Sequence, residues 1–330
     1  MQLPFPLKQA IEAEAQRIGL PGLIKASSEL SDNYRFRQAT AGRFIITEAH
    51  RAAYAITRMP ATFAASKAVL LEIRRLLPEL RVHSLLDLGA GTGAAAWAAL
   101  DVFDELKKIT LVERDQELIK LGKTFAQKSP HEALRSAAWL NLDLARASSF
   151  QPHDLVICSY SLNELASNEA RKVLEIGWQA TQQTIVIIEP GTMQGFALLK
   201  QLRTDLLQAG GNILAPCPHQ NACPMSENDW CHFAQRVERS ALHRKLKAAE
   251  LGYEDEKYSY LAVTKQPVQP ASARIIRHPL KHSGYVDLQL CIPDGLRQLK
   301  ITRSQKDDYK RARKIAWGEA WNFASMKPDQ

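Results

Sequence analysis

At 330 residues and 45% apolar content, the chain has enough hydrophobic material for one large core or two ordinary ones. It holds no run of 18 or more uncharged apolar residues, and its opening MQLPFPLKQAIEAEAQR carries charges where a secretory signal needs an apolar stretch; a membrane-spanning helix and a secreted protein are set aside, and the expectation is a cytoplasmic one. The net charge of +8 is unevenly placed, because residues 271–320 hold eleven Lys and Arg against five acids. Such an excess is either a solvated surface or a face for a phosphate-rich partner such as RNA.

In chain order, residues 1–80 read as a helical region. The segments LKQAIEAEAQRIG and ATFAASKAVLLEIRRLL carry apolar residues at three-to-four spacing, with Pro60 as a boundary signal before the second. From residue 81 the rhythm changes. HSLLDLGAGTG, KITLVERD, HDLVICSY and QTIVIIEPG are short apolar runs separated by helical stretches at 94–107, 115–127 and 167–181, a pattern that predicts an α/β domain with a doubly wound parallel sheet over 81–265.

The first of these strands ends at Asp87-Leu88 and runs into Gly89-Ala90-Gly91-Thr92-Gly93 before an alanine-rich helix. Glycines at such a turn let the backbone approach a ligand at a helix N-terminus. No lysine follows, which excludes a P-loop. The next strand ends in Glu113, placed to accept hydrogen bonds from ribose hydroxyls, and AWLNLDLA supplies Asp143. An aspartate before a G-x-G-x-G turn resembles the class I S-adenosylmethionine-dependent methyltransferases, a Rossmann-like fold. The resemblance implies that Asp87, Gly89 and Gly91 shape the methionine pocket, Glu113 holds the ribose and Asp143 the adenine. The fourth strand runs on as Ser159-Tyr160-Ser161-Leu162-Asn163-Glu164, without the Asn/Asp-Pro-Pro-aromatic turn that amino-group methyltransferases of nucleic acids often carry. Cys158 fits a buried strand cysteine better than a nucleophile, and no residue is assigned as catalytic base.

The stretch 211–233 reads as a cysteine-rich insertion. Cys217, Cys223 and Cys231 have five and then seven residues between them, unlike the paired two-residue spacing of a zinc ribbon, and Cys291 supplies a distant fourth thiol. Four cysteines close a zinc site or an iron–sulfur cube, and count alone does not choose. The Cys-Pro steps at 217/218 and 223/224 lean towards iron–sulfur; His219 and His232 are alternative zinc ligands. Residues 266–330 read as a basic extension: strands first, then a helix over SQKDDYKRARKIAWGEAW with Lys306, Lys310, Arg313 and Lys314 on roughly one face, and with Trp317 and Trp321 four apart, placed for core packing or base stacking.

Taken together, AYAITRMPATFAA, LLDLGAGTGAAAWAA, ERD, IIEPGT, the CPH…CP…DWCHF loop, RSALHRKLK and GYVDLQLC resemble the methyltransferase-like family associated with the mitochondrial ribosomal small subunit and its bacterial relatives, over about residues 30–321. That resemblance implies a methyltransferase fold that binds S-adenosylmethionine, ribosomal small-subunit RNA or an assembly intermediate as partner, and a [4Fe-4S] cluster on Cys217, Cys223, Cys231 and Cys291.

Overall fold

The computed structural model describes residues 1–35 and 45–323. Four helices come first: α1 (Phe5–Ile18), α2 (Leu20–Arg35), α3 (Glu48–Thr57) and α4 (Met59–Leu76). The main sheet is then laid down with its helices in the order β1 (Ser84–Leu88), α5 (Ala94–Leu100), β2 (Lys108–Glu113), α6 (Gln116–Ala126), α7 (Glu132–Arg135), β3 (Ala138–Asn141), β4 (His153–Ser159), α8 (Ser167–Ala180), β5 (Thr181–Pro190), α9 (Met193–Gln208) and β6 (Asn212–Ala215). It is completed by β7 (Phe233–Glu238), α10 (Ala241–Leu246) and β8 (Tyr253–Thr264). The remaining elements are β9 (Ala273–Ile275), β10 (Leu280–Lys281), β11 (Tyr285–Ile292), β12 (Gly295–Thr302), α11 (Lys306–Lys314) and β13 (Ala320–Trp321).

The spatial order of the main sheet is β3-β2-β1-β4-β5-β8-β6. β1 to β5 run parallel, and β8 enters antiparallel between β5 and β6. The chain reverses direction across the sheet between β1 and β4, which opens a crevice at the carboxyl ends of those strands. Continuous apolar strands follow from burial on both faces. Leu155 and Ile157 of β4 and Val186 and Ile188 of β5 face a core shared with the N-terminal helices. Val156, Cys158, Ile185 and Ile187 face a second core beneath α8 and α9. The alternation is the period of two expected of a strand, and each fully buried aliphatic side chain contributes roughly 1.5–3 kcal/mol.

β8 is long enough to serve two partners. Residues 258–264 pair with β5, while 253–258 pair with β7. Where β6 ends and β7 begins, the connecting loop 216–232 is held over β8; Asn212–Ala215, read from sequence as the start of an insertion, is a strand of the main sheet. The second sheet is built around β11, which pairs with β12 along one edge and with β9 and β10 along the other.

One expectation fails at the C-terminal end. The last helix stops at Lys314, and Ala320–Trp321 pair with β9. Val286, Leu288 and Leu290 of β11 and Ile301 of β12 form a third core, into which Ile315 turns out of the helix; Gly318 reverses the chain at φ +91°, and Trp321 is buried in that core. A continuous helix would leave Trp321 outside the core, and burial of the indole outweighs local helix propensity.

Candidate functional site

Two sites emerge, one at the crevice of the main sheet and one between the two sheets. At the crevice the glycine turn is tied to β2 by hydrogen bonds from Gly89 N and Ala90 N to Val112 O, both 2.9 Å. Gly89 requires its lack of a side chain: its φ is +81°, and a Cβ there would stand 2.3 Å from Cβ of Ser161. Ser161 is fixed in that place because its hydroxyl donates to Leu88 O at 2.7 Å. Tyr54 of α3 reaches over the turn, its hydroxyl 3.4 Å from where a Gly91 Cβ would lie. Two further contacts bring α4 against the same crevice, from Thr92 Oγ1 to Met59 Sδ (3.3 Å) and between the hydroxyls of Ser66 and Ser159 (3.2 Å).

Glu113 ends β2 with its carboxylate turned back onto the turn. Gly91 N donates to Oε2 at 2.9 Å and Asp115 N to Oε1 at 2.8 Å. Burial raises the Glu113 pKa, and those two amides pull against the rise. Asp87 is fully buried with Oδ2 unpartnered, and burial, reinforced by the charge of Glu113, pushes it up to about 7. Asp143 sits on the rim. Leu142 N and Asn141 Nδ2 both donate to Glu113 O, and Asp143 then caps a short 3-10 turn by accepting from Ala145 N at 3.1 Å. Asp87, Gly89, Gly91 and Glu113 are thus brought together, with Asp143 beside them.

Glu189 at the end of β5 is fully buried. Oε1 accepts from Leu162 N at 3.1 Å and Oε2 has no partner; burial pushes the carboxyl up to about 8. It therefore fixes the 161–164 turn from beneath. Cys158 is packed into the α8/α9 core, and burial raises its pKa, so the side chain is a neutral thiol.

At the second site Cys217, Cys223 and Cys231 of the β6–β7 loop and Cys291 of β11 line one cavity of about 50 Å³. A single water needs roughly 10–15 Å³, so the cavity that the thiols line has room for more than one water-sized group. Among the described residues no three His, Cys, Asp or Glu converge closely enough to hold one metal ion. His219 Nε2 lies 3.4 Å from Cys291 Sγ, whereas His232 is stacked on Trp230 and meets Trp317 edge-on. Burial, then the neighbouring thiols Cys217 and Cys223, push Cys291 up to about 12, and burial likewise raises Cys217 and Cys231. A bound metal would reverse that order by taking the thiolate.

Two arginines not recognised from the sequence line the same cavity. Arg274 of β9 is buried and clamps three segments: its Nε donates to Pro216 O at 2.8 Å, and its Nη1 to Gly318 O at 2.9 Å and to Glu72 of α4 at 2.5 Å. Arg203 of α9 is buried as well, its Nη2 donating to His219 O and Asn221 O at 3.1 and 2.7 Å. A signal for Arg203 existed, since it shares the buried stripe Leu199, Leu202, Leu206 of its helix. Four soft sulfur donors and two buried cations thus line one cavity.

The strand order, the reversal between β1 and β4 and the glycine turn with its acid at the end of β2 define a class I S-adenosylmethionine-dependent methyltransferase fold. The chain belongs to the family described as mitochondrial small ribosomal subunit Rsm22, whose match covers residues 48–322. It is 30% identical over 292 residues to the human ribosome assembly protein METTL17, mitochondrial, covering 83% of this chain and 62% of that one. With the Saccharomyces cerevisiae ribosome assembly protein RSM22, mitochondrial, identity is 22%, covering 68% of this chain and 53% of the relative. The chain therefore spans between about half and three fifths of these relatives' length. Among solved structures, a putative RNA methyltransferase of Pyrococcus horikoshii matches 61% of this chain and 84% of its own at 16% identity and a TM-score of 0.39. The N-methyltransferase NodS of Bradyrhizobium japonicum with bound S-adenosylhomocysteine matches 74% and 99% at 11% identity and a TM-score of 0.42. These names correct one expectation: the relatives are mitochondrial proteins, which overturns the assignment to the cytoplasm. Charges in an N-terminal segment argue against a secretory core and do not distinguish among other compartments.

Proposed function

We propose that this chain acts in assembly of the small ribosomal subunit as a methyltransferase-fold protein that binds its RNA, holds S-adenosylmethionine at the crevice and carries a [4Fe-4S] cluster on Cys217, Cys223, Cys231 and Cys291. The observation that carries the reading is that four cysteines, three from the loop over the main sheet and one from the second sheet, line a single cavity. Ligand bonds from both sheets would close a long loop and fasten the basic extension to the methyltransferase-like sheet. When bound, such a cluster supplies strong cross-linking by thiolate ligation. The protein's own groups do the rest: Arg274 and Arg203 position the loop carbonyls, and Ser259 Oγ donates to Cys231 O at 2.8 Å.

At the crevice, Asp87, Gly89 and Gly91 would receive the methionine part, Glu113 the ribose and Asp143 the adenine. The exposed Lys306, Lys310, Arg313 and Lys314 of α11 suit a phosphate backbone. A second reading, a non-catalytic assembly protein that keeps the fold as scaffold, is favoured by one observation. Both Glu113 oxygens already accept backbone N–H groups, so a ribose must share them. Co-sedimentation of the purified chain with small-subunit particles, repeated with Cys291→Ser, tests the proposal. Binding that weakens in the variant supports it, and absence of binding by the wild type contradicts it.

A further inference from the structure

Arg203 is anomalous for a buried charge. Its side chain is almost fully enclosed, no carboxylate pairs with it among the described residues, and its Nε is a buried donor without a partner. The other cavity arginine, Arg274, has Glu72, although that carboxylate also pairs with Arg75. An enclosed guanidinium without a counter-charge costs several kcal/mol, and neutral thiols do not offset it. Arg203 lines the cysteine cavity together with Cys217, Cys223, Cys231 and Cys291.

We infer that Arg203 is the counter-charge of an anionic, thiolate-ligated cluster, its unpartnered Nε–H available to the cluster while Nη2 holds the His219 and Asn221 carbonyls of the cysteine loop. The inference rests on the cluster reading above. Four thiolates carry more negative charge than the cluster core carries positive charge, so the bound group supplies what Arg203 lacks. The guanidinium acts as a positioning residue in two ways. It fixes the loop that carries three ligands, and its positive charge and N–H stabilise the cluster more strongly after an electron is added. The same feature accounts for placing arginine, not lysine, on the apolar stripe of α9: a planar fork can serve two carbonyls and a sulfur at once.

The test uses the full chain purified without oxygen, with iron and sulfide analysis, far-ultraviolet circular dichroism, a dye-mediated reduction titration and the rate of cluster bleaching in air. Arg203→Met is expected to keep the wild-type circular dichroism, to shift the midpoint to a more negative potential and to bleach about tenfold faster, the factor matching loss of one charged hydrogen bond. If the methionine variant yields no cluster to titrate, Arg203→Lys, which keeps the charge, carries the comparison. A wild-type-like midpoint in the lysine variant supports the inference, and a folded lysine variant without cluster overturns the charge role. An iron-loaded wild type whose methionine variant has the same midpoint and bleaching rate overturns this inference alone. Wild-type protein containing zinc or no metal removes the cluster reading and this inference together.

Discussion

Glu72 of α4 and Arg274 of β9 form an ion pair at 2.5 Å that joins the N-terminal helices to the second sheet beside the cysteine loop. Arg274 is the more deeply buried partner, and its other donors hold Pro216 O and Gly318 O. Removing Glu72 therefore strands a buried cation. Glu72→Ala is expected to cost about 3 kcal/mol, because breaking a buried pair leaves an uncompensated charge. Thermal melts of Glu72→Ala, Arg274→Met and the double variant check it. The double variant should be more stable than the sum of the single losses allows, and strict additivity would show that the pair is not coupled.

The glycine turn gives a prediction about ligand binding. Gly89→Ala places a methyl 2.3 Å from Ser161 Cβ at a positive φ and should abolish S-adenosylmethionine binding measured by calorimetry. Glu113→Ala removes the acceptor of the Gly91 and Asp115 amides and should weaken binding by roughly 1–3 kcal/mol. Unchanged affinity in both variants would place the ligand elsewhere.

Much of this crevice was legible because its chemistry is local. Asp87, the turn and the end of β2 lie within one β-α-β unit, where strand period and glycine spacing read directly. The residues that close it were not legible. Tyr54 and Ser161 come from distant segments, and their relation to Gly91 and Gly89 depends on tertiary approach. Likewise the cysteine count is visible at once, but Arg274 looks in sequence like an ordinary strand cation, and only the apolar stripe of α9 marks Arg203. The final helix was read too long because the pull of the third core on Trp321 has no local signature.

Buried acids predict a pH dependence. Asp87, held up to about 7 by burial and then by Glu113, binds its proton in the folded state over a range where the unfolded chain has released it. Its contribution is fully present below the unfolded carboxylate pKa, near pH 4, and is lost as pH rises through about 7. Glu189, held up to about 8 by burial, acts in the same direction with its loss completed at higher pH. Asp87→Asn should thus be more stable than wild type at pH 8, by a difference on the order of 4 kcal/mol that shrinks towards pH 4, read from thermal melts across pH. A gap that widens as the pH falls would contradict the sign.

The basic face of α11 makes a partner prediction. Lys310, Arg313 and Lys314 are exposed, although Lys310 pairs with Asp307 and Arg313 donates to His282 O at 3.1 Å. Replacing all three by Ala should weaken binding to small-subunit RNA and flatten the slope of log K against log salt by roughly 0.7–0.9 per lost phosphate contact. Equal slopes for variant and wild type would mark this face as merely solvated.

The four cysteines of the cavity are proposed to share one cluster. That sharing is tested most directly by elemental and acid-labile sulfide analysis of the chain purified without oxygen. The prediction is about four irons and four sulfides per chain, lost in the Ser variant of any one of Cys217, Cys223, Cys231 and Cys291 and retained in Cys158→Ser. Zinc at about one ion per chain, or iron that survives Cys291→Ser and disappears with Cys158→Ser, would contradict it.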